Sequence, residues 1–294
     1  MQVHYRLCEL YPEFRLRLGE LEHLTEQRMM SALAKVAPGP VTIPVVVHVV
    51  FNTASENISD AQIQSQIATL NRDYRAKNTD KSKTPGVWSG LVTDSSIQFG
   101  LASKDPTGKP TSGITRTTTT RTSFSDDNAV KSAATGGADP WTTKKYLNIW
   151  VCTFERTPQG QLLGYAQFPG GPVKTDGVVI LNTAFGTKGT AAAPFNLGRT
   201  ATHEVGHWLN LRHIWGDTED CSGNDFVADT PNAQHPNFGK PKFPHISCHN
   251  GPNGDMFVNY MDYVDDAAMV MFTTGQVARM HATLAGPRKS LIGP

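Results

Sequence analysis

The chain has 294 residues, long enough for one large domain or two modest ones with a real core. Its 27 basic and 26 acidic residues nearly cancel to a formal charge of +1, which excludes a bulk electrostatic drive towards nucleic acid or an anionic membrane. Charged residues at 18% and hydrophobic ones at 38% describe a globular chain, and no apolar run approaches the roughly 20 residues that span a bilayer.

Met1 to Leu10 carry Arg6 and Glu9 and lack the apolar stretch of a signal peptide, so a secreted chain would already have lost its signal. Leu18, Leu21, Thr25, Met29, Ala32 and Val36 recur at three- and four-residue steps, which predicts one amphipathic helix ended by Pro38-Gly39-Pro40. That helix is either a fixed part of the domain or a removable pro-segment. The β-branched run Val41 to Phe51 predicts a strand buried on both faces, with Pro44 near its start. Ser59-Asp60-Ala61-Gln62 is a capping box, and Ile63, Ile67, Leu70 and Tyr74 follow on one face, which predicts a helix over 59–76. Strand then helix suggests an α/β layer.

Further strands are expected at Ile97 to Ser103, Tyr146 to Thr153, Leu163 to Phe168 and Gly177 to Leu181, with threonines 117–120 as exposed strand or loop. From Leu211 to about residue 260 the chain is rich in Asp, Asn, Gly, Pro and His, and periodic apolar positions are few. A last helix is predicted from Thr273 to Leu284, with Val277, Met280, His281 and Leu284 inward.

The stretch His203-Glu204-Val205-Gly206-His207-Trp208-Leu209-Asn210-Leu211-Arg212-His213 has the form HExxHxxxxxH. Residues four apart share a helix face, so His203 and His207 can address one cation, with Glu204 beside the same opening. A catalytic zinc takes three protein ligands and keeps a fourth position for water, which makes His213 the third candidate. Six residues of continuous helix would turn His213 through about 600°, away from that face, so the helix must stop between them. Asn210 can do this, because Asn tolerates a left-handed conformation almost as well as the Gly of related sites. In a chain of this composition HExxH arises by chance about 0.03 times, and about 0.001 times with the third His. A structural zinc site would fill all four positions and has no use for Glu204, whereas hydrolysis needs a general base there. A zinc deaminase needs HxE with PCxxC, and the chain has no CxxC. The residues therefore predict a zinc endopeptidase; the rival is a catalytically silent zinc or calcium module that binds protein partners.

At these residues the sequence resembles the metzincin metallopeptidases, whose signature is followed by a methionine turn. Asn259-Tyr260-Met261-Asp262-Tyr263 matches that turn, and with HEVGHWLNLRHIWGD and Asp229-Thr230-Pro231 the chain is similar to the pappalysin family, near its ulilysin-like members, over roughly residues 41–285. It departs from the consensus at Asn210, where Gly is usual. The resemblance implies a metzincin-type α/β (α+β) fold: a twisted mixed sheet with backing and active-site helices above, and an irregular lower half with a C-terminal helix. It implies residues 1–38 as a pro-segment and 39–294 as the catalytic domain, divided into 39–210 and 211–294. Met261 would be the apolar floor under zinc, and Tyr263 would donate to the oxyanion of the tetrahedral intermediate. Gly164, Tyr165 and Ala166 would form an edge strand that pairs with extended substrate, though an ordinary edge strand reads the same way.

Four cysteines are too few for a disulfide scaffold. A bridge between Cys221 and Cys248 would close a loop of about 28 residues in the irregular stretch, worth roughly 3.5 kcal/mol in the chain-entropy model. The same stretch holds Asp217, Glu219, Asp220, Asp225, Asp229 and Thr230, oxygen ligands suited to calcium; the resemblance implies calcium here, and Asp225, Asp229 and Thr230 are the favoured ligands. Metzincin proenzymes often block zinc with a pro-segment cysteine, which makes Cys8 a candidate latch, although Glu9 stands where the related motif has Gly. Its other reading is a free or dimer-forming thiol. Cleavage between Arg28 and Pro40 would release the enzyme, and Cys152 reads as a buried thiol. Asp265 and Asp266 follow the methionine turn, where a carboxylate would favour Arg or Lys after the scissile bond; the alternative is that both are solvated or bind a cation. The expected partners are protein or peptide substrates of a secreted monomer, with neither nucleic acid nor membrane.

Overall fold

A computed structural model describes residues 2–32, 40–158 and 160–292. The N-terminal segment forms two helices, α1 (Gln2–Leu10) and α2 (Pro12–Ala32), where periodicity predicts one. The break falls at Tyr11 because Pro12 has no N–H to donate and suits only the first turn of a helix. α2 packs against the C-terminal helix of the chain. Val36, Pro38 and Gly39 of the expected helix and its stop lie outside the described residues.

The main body is built on a six-stranded mixed sheet. Its central strand β1 (Val41–Phe51) pairs in parallel with β2 (Ile97–Leu101) and β3 (Ile114–Thr118) on one side and with β4 (Leu147–Cys152) on the other. Alternation of the β-branched run sends Ile43, Val45, Val47 and Val49 into one core layer and Val50 into the opposite one, which is why this strand is buried on both faces. The threonine-rich stretch is strand through Thr118. β5 (Arg156–Thr157) and β6 (Gly160–Gln161) form a separate small antiparallel pair. β7 (Gly164–Ala166) closes the main sheet, antiparallel to β8 (Val178–Leu181), which runs parallel to β4. Within the sheet β7 has a strand partner on one side only.

The helix α3 (Asp60–Tyr74) starts where the capping box predicts, with the Ser59 hydroxyl accepting from Gln62 N at 3.2 Å, and buries Ile63, Leu70 and Tyr74 against the sheet. Beside it lies the fully buried α4 (Arg199–Trp208). The lower half is mostly loop, with a two-stranded parallel pair β9 (Phe238–Gly239) and β10 (Tyr263–Val264) and then α5 (Thr274–Leu284), opened by a reciprocal Thr273/Gln276 capping box. One apolar cluster runs from Ile43 through Val205 and Met261 to Leu284, so both halves share a core.

Candidate active site

α4 carries the first two histidines. Its end is set by Asn210, whose φ is 73°, and the Leu211 N–H returns to the Gly206 carbonyl at 2.9 Å. The left-handed residue reverses the chain as the sequence requires, and the Asn210 carbonyl is held by Arg279 Nε at 2.6 Å. His213 thereby returns to the open face of α4. Its Nε2 lies 3.2 Å from His203 Nε2 and 3.0 Å from His207 Nε2. Ligands placed tetrahedrally around zinc at ordinary Zn–N lengths stand about 3.3 Å apart, so the spacing fits.

The opposite ring nitrogens fix the tautomers. His203 Nδ1 is 2.8 Å from the Tyr260 carbonyl, His207 Nδ1 is 2.8 Å from the Leu211 carbonyl, and His213 Nδ1 is 2.6 Å from Asp217 Oδ1. Each Nδ1 faces an acceptor and so carries the proton, leaving three Nε2 lone pairs aimed at one another, an arrangement that only a cation relieves. Burial lowers the pKa of all three rings, His203 to about 4, and keeps them neutral. Among the described residues this is the group of His, Cys, Asp or Glu built to hold a metal ion.

Glu204, next on the helix, is 7% exposed, and burial raises its carboxyl to about 7. A Cβ on Gly164 would stand 2.9 Å from Glu204 Cγ, so the glycine is what lets β7 run directly against this side chain. Beneath the helix, a Cβ on Gly206 would meet Met261 Sδ at 2.5 Å, which gives the glycine between the histidines the same kind of reason. Met261 is fully buried. Its turn is fixed to α5 by the paired amides of Asn259 and Gln276 at 2.9 and 3.0 Å. Tyr263 is 40% exposed, with its ring centroid 4.7 Å from that of His213 and 5.6 Å from that of His203. Of the expected edge strand, Gly164 is half-buried, while Tyr165 and Ala166 are buried. The Tyr165 ring therefore belongs to the core.

The peptidase M43 family model, described as pregnancy-associated plasma protein-A, matches residues 131–285, which contain every residue of this constellation. The chain belongs to the pappalysin family. An extracellular metalloprotease of Pyricularia oryzae is 36% identical over 253 residues, covering 83% of this chain and 75% of that protein. One from Colletotrichum graminicola is 32% identical, covering 85% and 79%. Among solved structures, Tannerella forsythia mature mirolysin in complex with a cleaved peptide is 50% identical with a TM-score of 0.84, covering 87% of this chain and 97% of its own. A Tannerella forsythia promirolysin mutant is 46% identical with a TM-score of 0.90, covering 98% and 94%. This pappalysin is a metzincin by fold and a zinc metalloendopeptidase by class.

The other expected site residues of this pappalysin lie outside the histidine group. The Asp266 carboxylate accepts from Leu197 N at 2.7 Å and Arg199 N at 3.3 Å, so it caps α4 rather than lining a pocket; it is 1% exposed. Asp265 is half-exposed. Asp229 accepts from Thr273 Oγ1 at 2.6 Å and Gly275 N at 2.8 Å and serves the start of α5, while Thr230 Oγ1 donates to Asp225 Oδ2 at 2.7 Å. Cys8, on α1, lies outside the histidine group, with Sγ 3.9 Å from His4 Nε2 and its thiol pushed up by burial. Cys221 and Cys248 are bridged, and Cys152 is a buried free thiol.

Asp217, counted in the sequence only among the oxygen-rich residues of this stretch, orients His213. Its spacing four residues after that histidine was the available signal, since a zinc-bound His usually donates its second N–H to a carboxylate or carbonyl.

Proposed function

We propose that this pappalysin is a secreted proenzyme that hydrolyses polypeptides with Glu204 as general base. The observation that carries the reading is the convergence of His203 and His207 Nε2 on His213 Nε2, at 3.2 and 3.0 Å, beside Glu204 and the one-sided edge of β7. His203, His207 and His213 would hold zinc, which would supply Lewis acidity towards a water and the scissile carbonyl. An extended peptide adds to the outer edge of β7 through main-chain hydrogen bonds. Glu204 takes the proton of the attacking water and delivers it to the leaving amine, a task suited to a carboxyl raised to about 7. The Tyr263 hydroxyl donates to the developing oxyanion, and Met261 closes the floor below the histidines.

Residues 1–38 act as pro-segment and 39–294 as the catalytic domain in this reading, with cleavage between Arg28 and Pro40. In support, mature mirolysin matches 87% of this chain and the pro-form mutant 98%, a difference of the size of α1 and α2. α1 also packs on β7. Cys8 is the candidate latch, which requires its sulfur to leave His4 for the histidines; a Cys8→Ala chain with unaltered latency would remove it. Calcium is read at Asp225 and Thr230, because burial raises Asp225 to about 7 with only a hydroxyl and a backbone N–H on its oxygens; Asp229 is kept for α5. Calcium that leaves the unfolding temperature unchanged would count against it. Asp265 remains for Arg or Lys after the scissile bond, and a library showing only bulky apolar residues there would refute this. Relatives named extracellular metalloproteases support secretion.

The test is metal removal. The processed enzyme should contain one zinc, lose casein cleavage on chelation and regain it on adding zinc; cleavage by fully metal-free protein would overturn the reading.

A further inference from the structure

One basic residue of the N-terminal segment is gripped by the catalytic body beside the edge strand. Arg6 Nη1 donates to Asp126 Oδ1 at 2.8 Å, and Arg6 Nη2 donates to the backbone carbonyl of the same residue. A carboxylate and a carbonyl offered together match the forked edge of a guanidinium, whereas the point charge of a lysine ammonium does not use such a pair as well.

The cradle stands on fixed backbone. Phe124, two residues earlier, is buried and pairs with the chain after β4, its N–H 2.9 Å from the Thr153 carbonyl and its carbonyl 2.9 Å from Glu155 N. On the other side Asp127 Oδ1 accepts from Ala129 N at 2.9 Å and starts the turn that carries the buried Lys131. The position is also near the chemistry. α1, which carries Arg6, packs on β7, and Gly164 of that strand stands against Glu204. Asp126 is 25% exposed with Arg6 in place, so departure of α1 opens it to whatever peptide lies along β7. A half-exposed ion pair contributes little to stability, which makes selectivity the more natural use of this geometry.

We propose that Asp126 is a specificity-determining residue that receives an arginine side chain of the polypeptide substrate in the processed enzyme, and that Arg6 fills this subsite in the proenzyme. The inference rests on the endopeptidase reading above and adds a second basic preference, separate from that of Asp265.

The test uses enzyme processed to its mature N-terminus and peptide libraries varied at each position around the scissile bond. Wild type should enrich Arg over Lys at one position besides the one after the scissile bond. In Asp126→Asn the ratio of kcat/KM for Arg against Ala at that position should fall about tenfold or more, as expected for losing a charge-assisted pair. Asp126→Glu should restore part of the ratio, and Asp265→Asn should leave it in place. Equal ratios in wild type and Asp126→Asn would overturn the proposal and leave Asp126 as a seat for the pro-segment alone. A wild-type enzyme that cleaves nothing would instead refute the endopeptidase reading, so the two failures are distinct.

Discussion

Asp217 Oδ1 lies 2.6 Å from His213 Nδ1, so the third histidine of the group would link a carboxylate to a zinc held by the three rings. Asp217 has a φ of 61°, so the chain accepts a left-handed residue to make this contact. Asp217→Asn should weaken zinc binding about 10- to 100-fold, the usual cost of losing such a partner. Competition with a chelator of known affinity measures this, and unchanged zinc affinity would show that His213 is oriented by packing on Trp215 alone.

Gly164→Ala tests the contact between the edge strand and the base. The added methyl would meet Glu204 Cγ at 2.9 Å and the Val179 carbonyl at 3.0 Å, so either Glu204 or β7 must move. Destabilisation of about 1–3 kcal/mol is expected from overpacking, with a larger fall in kcat than in thermal stability would suggest. Wild-type kcat in this variant would mean that Glu204 tolerates displacement.

Lys131 is 2% exposed, donates to the Thr175 carbonyl at 2.7 Å, and sits over the rings of Tyr165 and Trp150. Burial lowers its pKa from 10.5 to about 7, against the pull of Asp176 and Glu204. Between those values the unfolded chain holds a proton that the folded chain does not, so this residue makes stability rise with pH across that window. Lys131→Met should be more stable than wild type near and below pH 7, and the difference should shrink towards alkaline pH. Parallel denaturation profiles of the two proteins from neutral to alkaline pH would contradict this.

The Cys221–Cys248 bridge spans a sequence separation of 27 in a part of the chain with little regular structure. Replacing both cysteines by serine should cost about 3.5 kcal/mol, measured by denaturant unfolding, and should reproduce the effect of a reductant on wild type. An unchanged midpoint would assign the order of this half to metal binding and packing.

How far the sequence foretold this depended on the kind of interaction. The capped helices α3 and α5, the central strand and the reversal at Asn210 rest on local chemistry, and each stands within a residue or two of expectation. The histidine group was legible for the same reason, since helical spacing and one left-handed residue bring it together. What was not legible depends on distant partners. Asp266 and Asp229 look like loop carboxylates until the N-termini of α4 and α5 arrive beside them. The partly buried pairs of Arg279 with Glu22 and of Arg199 with Asp80 join segments far apart in the chain. The periodic apolar positions begin at Leu18 and mark α2 alone; α1, ahead of them, has no such pattern and was not foreseen, although Pro12 is a helix-start signal.

In the proposed mechanism Glu204 moves the proton while the three histidines hold the metal. Glu204→Gln in the processed enzyme separates these roles, because it keeps the shape of the side chain and removes its basicity. The variant should bind one zinc per chain with wild-type folding stability and lose at least about 1000-fold in kcat/KM on casein-derived peptides. Peptide cleavage at the wild-type rate by the pure, zinc-loaded variant would show that Glu204 is not the general base.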